Sequence, residues 1–273
     1  MPTARIATKE MFRSDLARFM GQSRLFKFLE RRSLNTVGFE DDFLGDTLST
    51  GLYTVANGGG SSAASPVIQA GVLNGIARFI TGTAGGSTAS SELSTGLQFR
   101  GDQGAVMVAC LAVSAITNVK IEVGFTDALA DAGAVATKAT PTFNATDCAV
   151  WVIDTTDNAY WEGVAANNGN TAPMTTVEAA ISPVADTYEW LMVELIETDE
   201  SNSECAVAFR RFTQDGVMTF EQIGGGIEDA SGQGPNGNVL LTPWIYVEAR
   251  NSTSKSLDVD HFGAWQRRTS GEF

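Results

Sequence analysis

Between residues 37 and 268 the chain is a succession of short apolar-rich runs, many of them alternating apolar and polar residues, separated by clusters of Gly, Asn, Asp and Pro. This punctuation constrains the fold more than any other feature. Alternation with a period of two gives a strand one buried and one solvated face, and turn residues every ten or so positions leave no room for long helices. The runs are Leu52–Val55, Val67–Ala70, Gly75–Ile80, Gly96–Phe99, Val106–Val113, Val119–Phe125, Ala149–Ile153, Tyr160–Val164, Glu189–Glu197, Ala206–Phe212, Met218–Gln222, Leu240–Ala249 and Ser256–Arg267, preceded by VGFEDDF at 37–43. Asp215-Gly216 between two of them is a hairpin signal, because a tight hairpin turn needs positive φ. Glycine-rich stretches at 57–62, 82–91, 167–171 and 224–238 read as loops. With 43% apolar residues and five Trp there is enough to bury a sizeable core. The expected fold is all-β: a two-sheet antiparallel sandwich over residues 37–273.

Residues 1–36 are of another kind. The first 32 carry eight basic and three acidic residues, a net of +5, whereas the remaining 241 carry ten basic and 29 acidic, a net of −19. Phe12, Leu16, Phe19, Met20, Phe26 and Leu29 recur at spacings of three or four, which predicts a helical arm over 8–32 with basic flanks. Four Phe in so short a segment need a surface to dock on. Phe12, Leu16, Phe19, Phe26 and Leu29, with Arg13, Arg24 and Arg31, are therefore the candidate partner-docking residues. The overall charge of −14 argues against nucleic acid as the partner of the body, since phosphate neutralisation needs a basic face.

Cys110, Cys148 and Cys205 form no CxxC pair, and two of them sit in apolar or alternating runs, so neither a disulfide framework nor a zinc site is implied. No stretch has the length or composition of a membrane span or signal peptide, and synthesis in a reducing cytoplasm is expected.

Catalytic constellations are sparse. His261 is the single histidine, in LDVDHFGAWQRR at 257–268, and no GxSxG elbow supplies a nucleophile. Its alternation with Val259 and Gly263 reads as structural. Paired carboxylates are the more serious case, because glycosidases built on such sandwiches set acids at alternating positions of one strand. Glu194 and Glu197 fall on opposite faces. Asp258 and Asp260 share one, without the acidic triplet of a sugar-cleaving strand. The chain is accordingly expected not to be an enzyme, and no cofactor is expected. Asp154, Asp157 and Asn158, and Asp199, Glu200, Asn202 and Glu204, are dense enough in oxygen to hold Ca²⁺, but neither loop has a calcium-motif spacing. Among the tryptophans, Trp161 is the candidate exposed sugar platform, while Trp151, Trp190, Trp244 and Trp265 read as core.

Several segments together resemble the concanavalin-like (laminin-G-like) jelly rolls of tailed-phage virion proteins: FEDDFLGD at 39–46, YEWLMVEL at 188–195 with VAFRRF at 207–212 and the Asp215-Gly216 hairpin, and LTPWIYVEARN at 241–251 followed by the closing LDVDHFGAWQRR. The resemblance implies a jelly roll and a virion structural role, foremost a capsid decoration or cement protein. It supplies no active-site or metal residues. On this reading the arm docks on a major capsid protein or another virion subunit, and the protein is a homo-oligomer, with a trimer the candidate state. Nucleic acid and membrane are not expected partners. The alternative is a carbohydrate-binding, lectin-like module, with a glycan as its ligand, and a glycosidase comes third.

Overall fold

The computed structural model describes residues 36–58, 63–72, 75–84, 89–128, 132–168, 182–196, 205–224 and 234–267. The expected helical arm, with all eight candidate docking residues from Phe12 to Arg31, lies outside them. The described chain folds into two antiparallel sheets packed face to face. The eight-stranded sheet runs in the order β14 (Met218–Gly224), β13 (Ala206–Thr213), β12 (Glu189–Ile196), β6 (Val106–Val113), β16 (Ser256–Arg267), β4 (Ala77–Ile80) and β3 (Ala64–Ile68). There, β1 (Thr36–Asp41) lines the second half of β16. The six-stranded sheet is β11 (Asn158–Ala166), β10 (Cys148–Asp154), β7 (Val119–Thr126), β15 (Thr242–Ala249), β5 (Ser90–Ser94) and β2 (Thr54–Asn57). A small hairpin, β8 (Val135–Thr137) and β9 (Thr142–Phe143), stands apart from both.

Between the sheets, alternate residues from each strand form one core: Met107, Ala109, Leu111 and Val113 of β6, Leu191, Val193 and Leu195 of β12, Ile121, Val123 and Phe125 of β7, Trp151 of β10, and Ile245 and Val247 of β15 among them. Each large apolar side chain buried there contributes about 1.5–3 kcal/mol. The indole of Trp151 donates to the Met192 carbonyl 3.0 Å away, fixing the two sheets to each other as well as filling volume. Phe39, Phe262 and Tyr53 close one end with rings 5.2–6.1 Å apart.

The expected strands are present except Gly96–Phe99, which makes only an isolated bridge from Phe99 to Leu241. Conversely, β5, β8 and β9 lie outside the expected runs, and β5 occupies part of the stretch read as a glycine-rich loop. Its SSELS sequence is poor in apolar residues, but Leu93 enters the core and the Ser91 hydroxyl donates to Ala64 O at 2.7 Å. Asp215-Gly216 turns β13 into β14 as expected, with Gly216 at φ +81.

Candidate functional site

The strand that builds the site is β16. Its register against β6 pairs Asp258 with Ala112, Val259 with Leu111, and then His261, not Asp260, with Cys110. Asp260 is the extra residue of a β-bulge, which re-aims the strand so that two consecutive side chains share a face. Val259 stays in the core, while Asp258, Asp260, His261, Gly263 and Trp265 all belong to the outer face of the eight-stranded sheet. The alternation read from the sequence, with His261 in phase with Val259, is therefore corrected by one residue of slip.

Around this strand the outer face carries an aromatic strip. Trp190 of β12 and His261 flank the small Cys110 on β6, and their rings meet across it with centroids 5.2 Å apart. Further along, the Trp265 indole lies over glycine. A Cβ built at Gly38 would come within 2.7 Å of its Cδ1, and one at Gly263 within 2.7 Å of its Cη2. A side chain at Gly263 would lift the ring off the sheet, whereas one at Gly38 would first meet the backbone of β16, 2.2 Å from Ala264 O. Trp190, Trp265 and Tyr188 are partly exposed, and Val106, Val108, Met192 and Phe212 form the apolar floor beneath.

Charged groups border the strip. His261 Nδ1 lies 2.7 Å from Asp42 Oδ1. Arg78 holds Asp258 in a two-pronged pair at 2.7 and 2.6 Å. Burial, with the negative charges of Asp258 and Asp260 nearby, pushes the Tyr188 hydroxyl up to about 12, so it is a neutral donor at physiological pH. Burial, and then Asp260 and Glu189, likewise raise the Cys110 thiol, which is inert as a nucleophile.

The outer face of the six-stranded sheet also carries acids and aromatics, but it is covered. Glu122 accepts from the backbone amides of Ala134 (2.6 Å) and Val135 (3.0 Å) and from the Trp244 indole (3.2 Å), and pairs with Lys120 at 2.9 Å. Lys120 also donates to the Val135 carbonyl. Gly133, at φ +73, lets the segment before β8 close down on this carboxylate, since a Cβ there would fall 2.6 Å from Glu122 Oε1. Lys138 reaches Glu162 at 3.1 Å and the Tyr160 carbonyl at 2.9 Å. Trp244 and Tyr246 stack at 5.7 Å and are fully buried, and the Tyr246 hydroxyl donates to Glu248 at 2.7 Å.

The other expected residues are placed as follows. Trp161, expected to be exposed, is fully buried between the sheets, where its indole donates to Glu189 Oε1 at 2.8 Å and Arg211 pairs with the same carboxylate. Burial pushes the Glu189 carboxyl up against the opposing pull of Arg211 and Trp161. Trp190 and Trp265, read as core, are instead partly exposed on the outer face. Glu194 is held by Arg210 at 2.5 Å, and Glu197 lies outside the described residues. Asp258 and Asp260 do share a face, as expected. Asp154 is bound by Arg250 and by the Thr156 hydroxyl at 2.8 Å, and Asn158 Oδ1 accepts from Lys138, so this loop's oxygens are already engaged. The loop at 199–204 lies outside the described residues.

No protein-family model and no curated protein matches the sequence. Solved structures do match. A protein of unknown function from Shewanella oneidensis MR-1 superposes with a TM-score of 0.58 at 12% identity, over 92% of this chain and 97% of that one. A glycosyl hydrolase family protein from Mycobacterium fortuitum gives 0.53 at 11% identity, over 83% and 98%. A prokaryotic β-1,3-1,4-glucanase from a mouse hindgut metagenome gives 0.52 at 12% identity, over 84% and 99%. The chain is a concanavalin-like jelly roll. At these identities the likeness is one of fold, yet it corrects the expectation that the chain is not an enzyme. Glycoside-cleaving proteins stand on this same sandwich, so the lack of an acidic triplet on one strand is no ground for excluding catalysis.

Proposed function

We propose that the protein binds carbohydrate along the outer face of the eight-stranded sheet. The observation that carries this reading is the pair of partly exposed indoles, Trp190 and Trp265, with the buried His261 ring between them and Asp42, Asp258, Asp260, Tyr188 and Arg78 at the border. A pyranose presents apolar C–H faces and a rim of hydroxyls. Flat indoles match the first, and carboxylate acceptors with guanidinium and phenol donors match the second. The likeness of the whole sandwich to glycoside-acting proteins supports the same ligand class.

A glycan array, followed by titration of the strongest neutral oligosaccharide or of a soluble β-1,3-1,4-glucan, tests the reading. Trp190→Ala and Trp265→Ala should each weaken binding about tenfold or more, as loss of a central aromatic anchor does. Binding that survives both substitutions unchanged would remove the strip from consideration.

The finer reading is display on a tailed-phage virion, in several copies, through the basic Phe-rich arm. It is supported by the resemblance and by the charge step near residue 33. A chain lacking residues 1–32 should then fail to join particles, and full occupancy by that truncated chain would sink the virion reading while leaving sugar binding untouched.

A further inference from the structure

We infer that Lys138 and Asn158 join in an amide bond, formed within the folded chain, with Glu162 as the catalytic base and acid. The bond belongs to the covered face of the six-stranded sheet and stands apart from sugar binding on the other. Asn158 and Glu162 lie on β11 four residues apart, so the period of two sends both side chains to one face. Lys138, just after β8, meets them there. Its Nζ donates to Asn158 Oδ1 at 2.5 Å, to the Tyr160 carbonyl at 2.9 Å and to the Asn158 carbonyl at 3.4 Å. Glu162 Oε1 lies 3.1 Å from this nitrogen and 3.1 Å from Asn158 Nδ2. One carboxylate oxygen thus touches both the nitrogen that would attack and the nitrogen that would leave, which is where a proton shuttle has to stand. Asn158 Nδ2 also donates to Asp157 Oδ2 at 3.1 Å, and the Tyr160 backbone N–H donates to Asn158 Oδ1 at 3.0 Å.

The reaction balances without a co-reactant. Glu162 accepts a proton from the Lys138 ammonium, and the freed lone pair on Nζ attacks Asn158 Cγ to form the new N–C bond. The carbonyl electrons move onto Oδ1, where the Tyr160 N–H meets the developing charge. Glu162 returns its proton to Nδ2, the Cγ–Nδ2 bond breaks as the carbonyl re-forms, and ammonia departs. Glu162 then takes the second proton from Nζ and passes it to that ammonia, so the lysine's positive charge leaves as ammonium. The Lys138 side chain is 0% and that of Glu162 7% exposed, which keeps bulk water away from the proton transfer. Half-buried Asn158, beside exposed Asp157, gives the ammonia a way out. Holding amine and amide together replaces an encounter between two molecules. The product ties residues 20 apart and fastens the segment after β8 to β11.

Mass spectrometry of the full chain, kept folded at neutral pH and then denatured and digested, tests the inference. The protein should weigh one ammonia less than its sequence requires, and trypsin should no longer cut after Lys138. A second protease should release a branched peptide joining residues 138 and 158. Glu162→Gln and Lys138→Arg should each restore the full mass, the first by removing the shuttle and the second by replacing the amine with a poor nucleophile, while circular dichroism stays that of the folded chain. Asn158→Ser, at a half-buried position, carries the same expectation and keeps the test intact if a buried substitution prevents folding. Full sequence mass in the folded, unsubstituted chain would overturn the inference. So would loss of ammonia with Lys138 still open to trypsin, which marks cyclisation of an asparagine on its own backbone.

Discussion

On the outer face of the six-stranded sheet, Glu122, Glu162, Glu248 and Asp154 are each met by a cation, and the hairpin segment at 132–145 is clasped over it through Glu122, Lys120 and Lys138. On the outer face of the eight-stranded sheet, the Trp190 and Trp265 rings are partly exposed, and beside them Asp258 is held by Arg78 and Asp42 meets His261. The two faces come from the same strand alternation. They differ in what occupies the positions: Lys120, Glu122, Glu248 and Asp154 point into a covered layer on one side, whereas on the other Gly38, Gly263 and Cys110 are small enough for indole and imidazole to lie down on the sheet. Buried charge that is fully paired holds a structure in one arrangement. Half-exposed aromatic surface bordered by acceptors is available to a ligand.

The contrast can be broken most forcefully at Glu122. Glu122→Ala should cost roughly 3–5 kcal/mol, because it strands the buried Lys120 ammonium and leaves two amides without their acceptor. Urea unfolding measures this, and a cost below about 1 kcal/mol would mean the clasp is not holding the covered face. Glycan binding by the folded fraction should not change.

A smaller effect is expected at Asp154, and it should depend on pH. Burial alone would raise this carboxyl, but the hydrogen bonds and charge of Arg250 bring it below its ordinary value. A lowered pKa contributes stability above the unfolded value of about 3.9, and that stability is lost as pH falls through the folded value. Asp154→Asn should therefore cost about 2 kcal/mol at neutral pH, less than a fully buried pair because Arg250 keeps Glu248. The difference between the two proteins should vanish in acid. A gap that persists at pH 2 would show that the ion pair is not its source.

The smallest effect on stability sharpens the open face. Gly263→Ala places a methyl against the Trp265 ring, a side chain that can swing away, at a cost of about 1 kcal/mol. Glycan affinity should nevertheless drop nearly as far as in Trp265→Ala. A loss of stability with full affinity would show that the flat pose of Trp265 does not matter to the ligand.

Most of the sandwich was legible because strand alternation is a local signal. The continuous apolar run Val106–Val113 was legible for a different reason: all of its residues are buried, so its composition alone marks it. β5 was missed because SSELS offers a single large apolar residue, and its burial depends on β15 and β2 on either side. The candidate site was legible in part. Asp258 and Asp260 were seen to share a face, but His261 was put out of phase because a bulge leaves no mark in the residues that form it. Trp161 and Trp265 were exchanged for a similar reason. Both sit in alternating runs, and which side of a sheet meets the second sheet is decided by partners distant in the chain. Small neighbours of aromatics, such as Gly263 two positions before Trp265, were the signal that could have marked the platform.

Periodicity, turn chemistry and charge along the chain were enough for the class of fold, the hairpin at Asp215-Gly216 and the charge step near residue 33. Which outer face is covered and which is partly exposed emerges only once the strands are paired. That choice turns on a one-residue bulge opposite Cys110 and on a glycine that lets the segment before β8 settle onto Glu122, and both are settled by contacts between strands far apart in the chain.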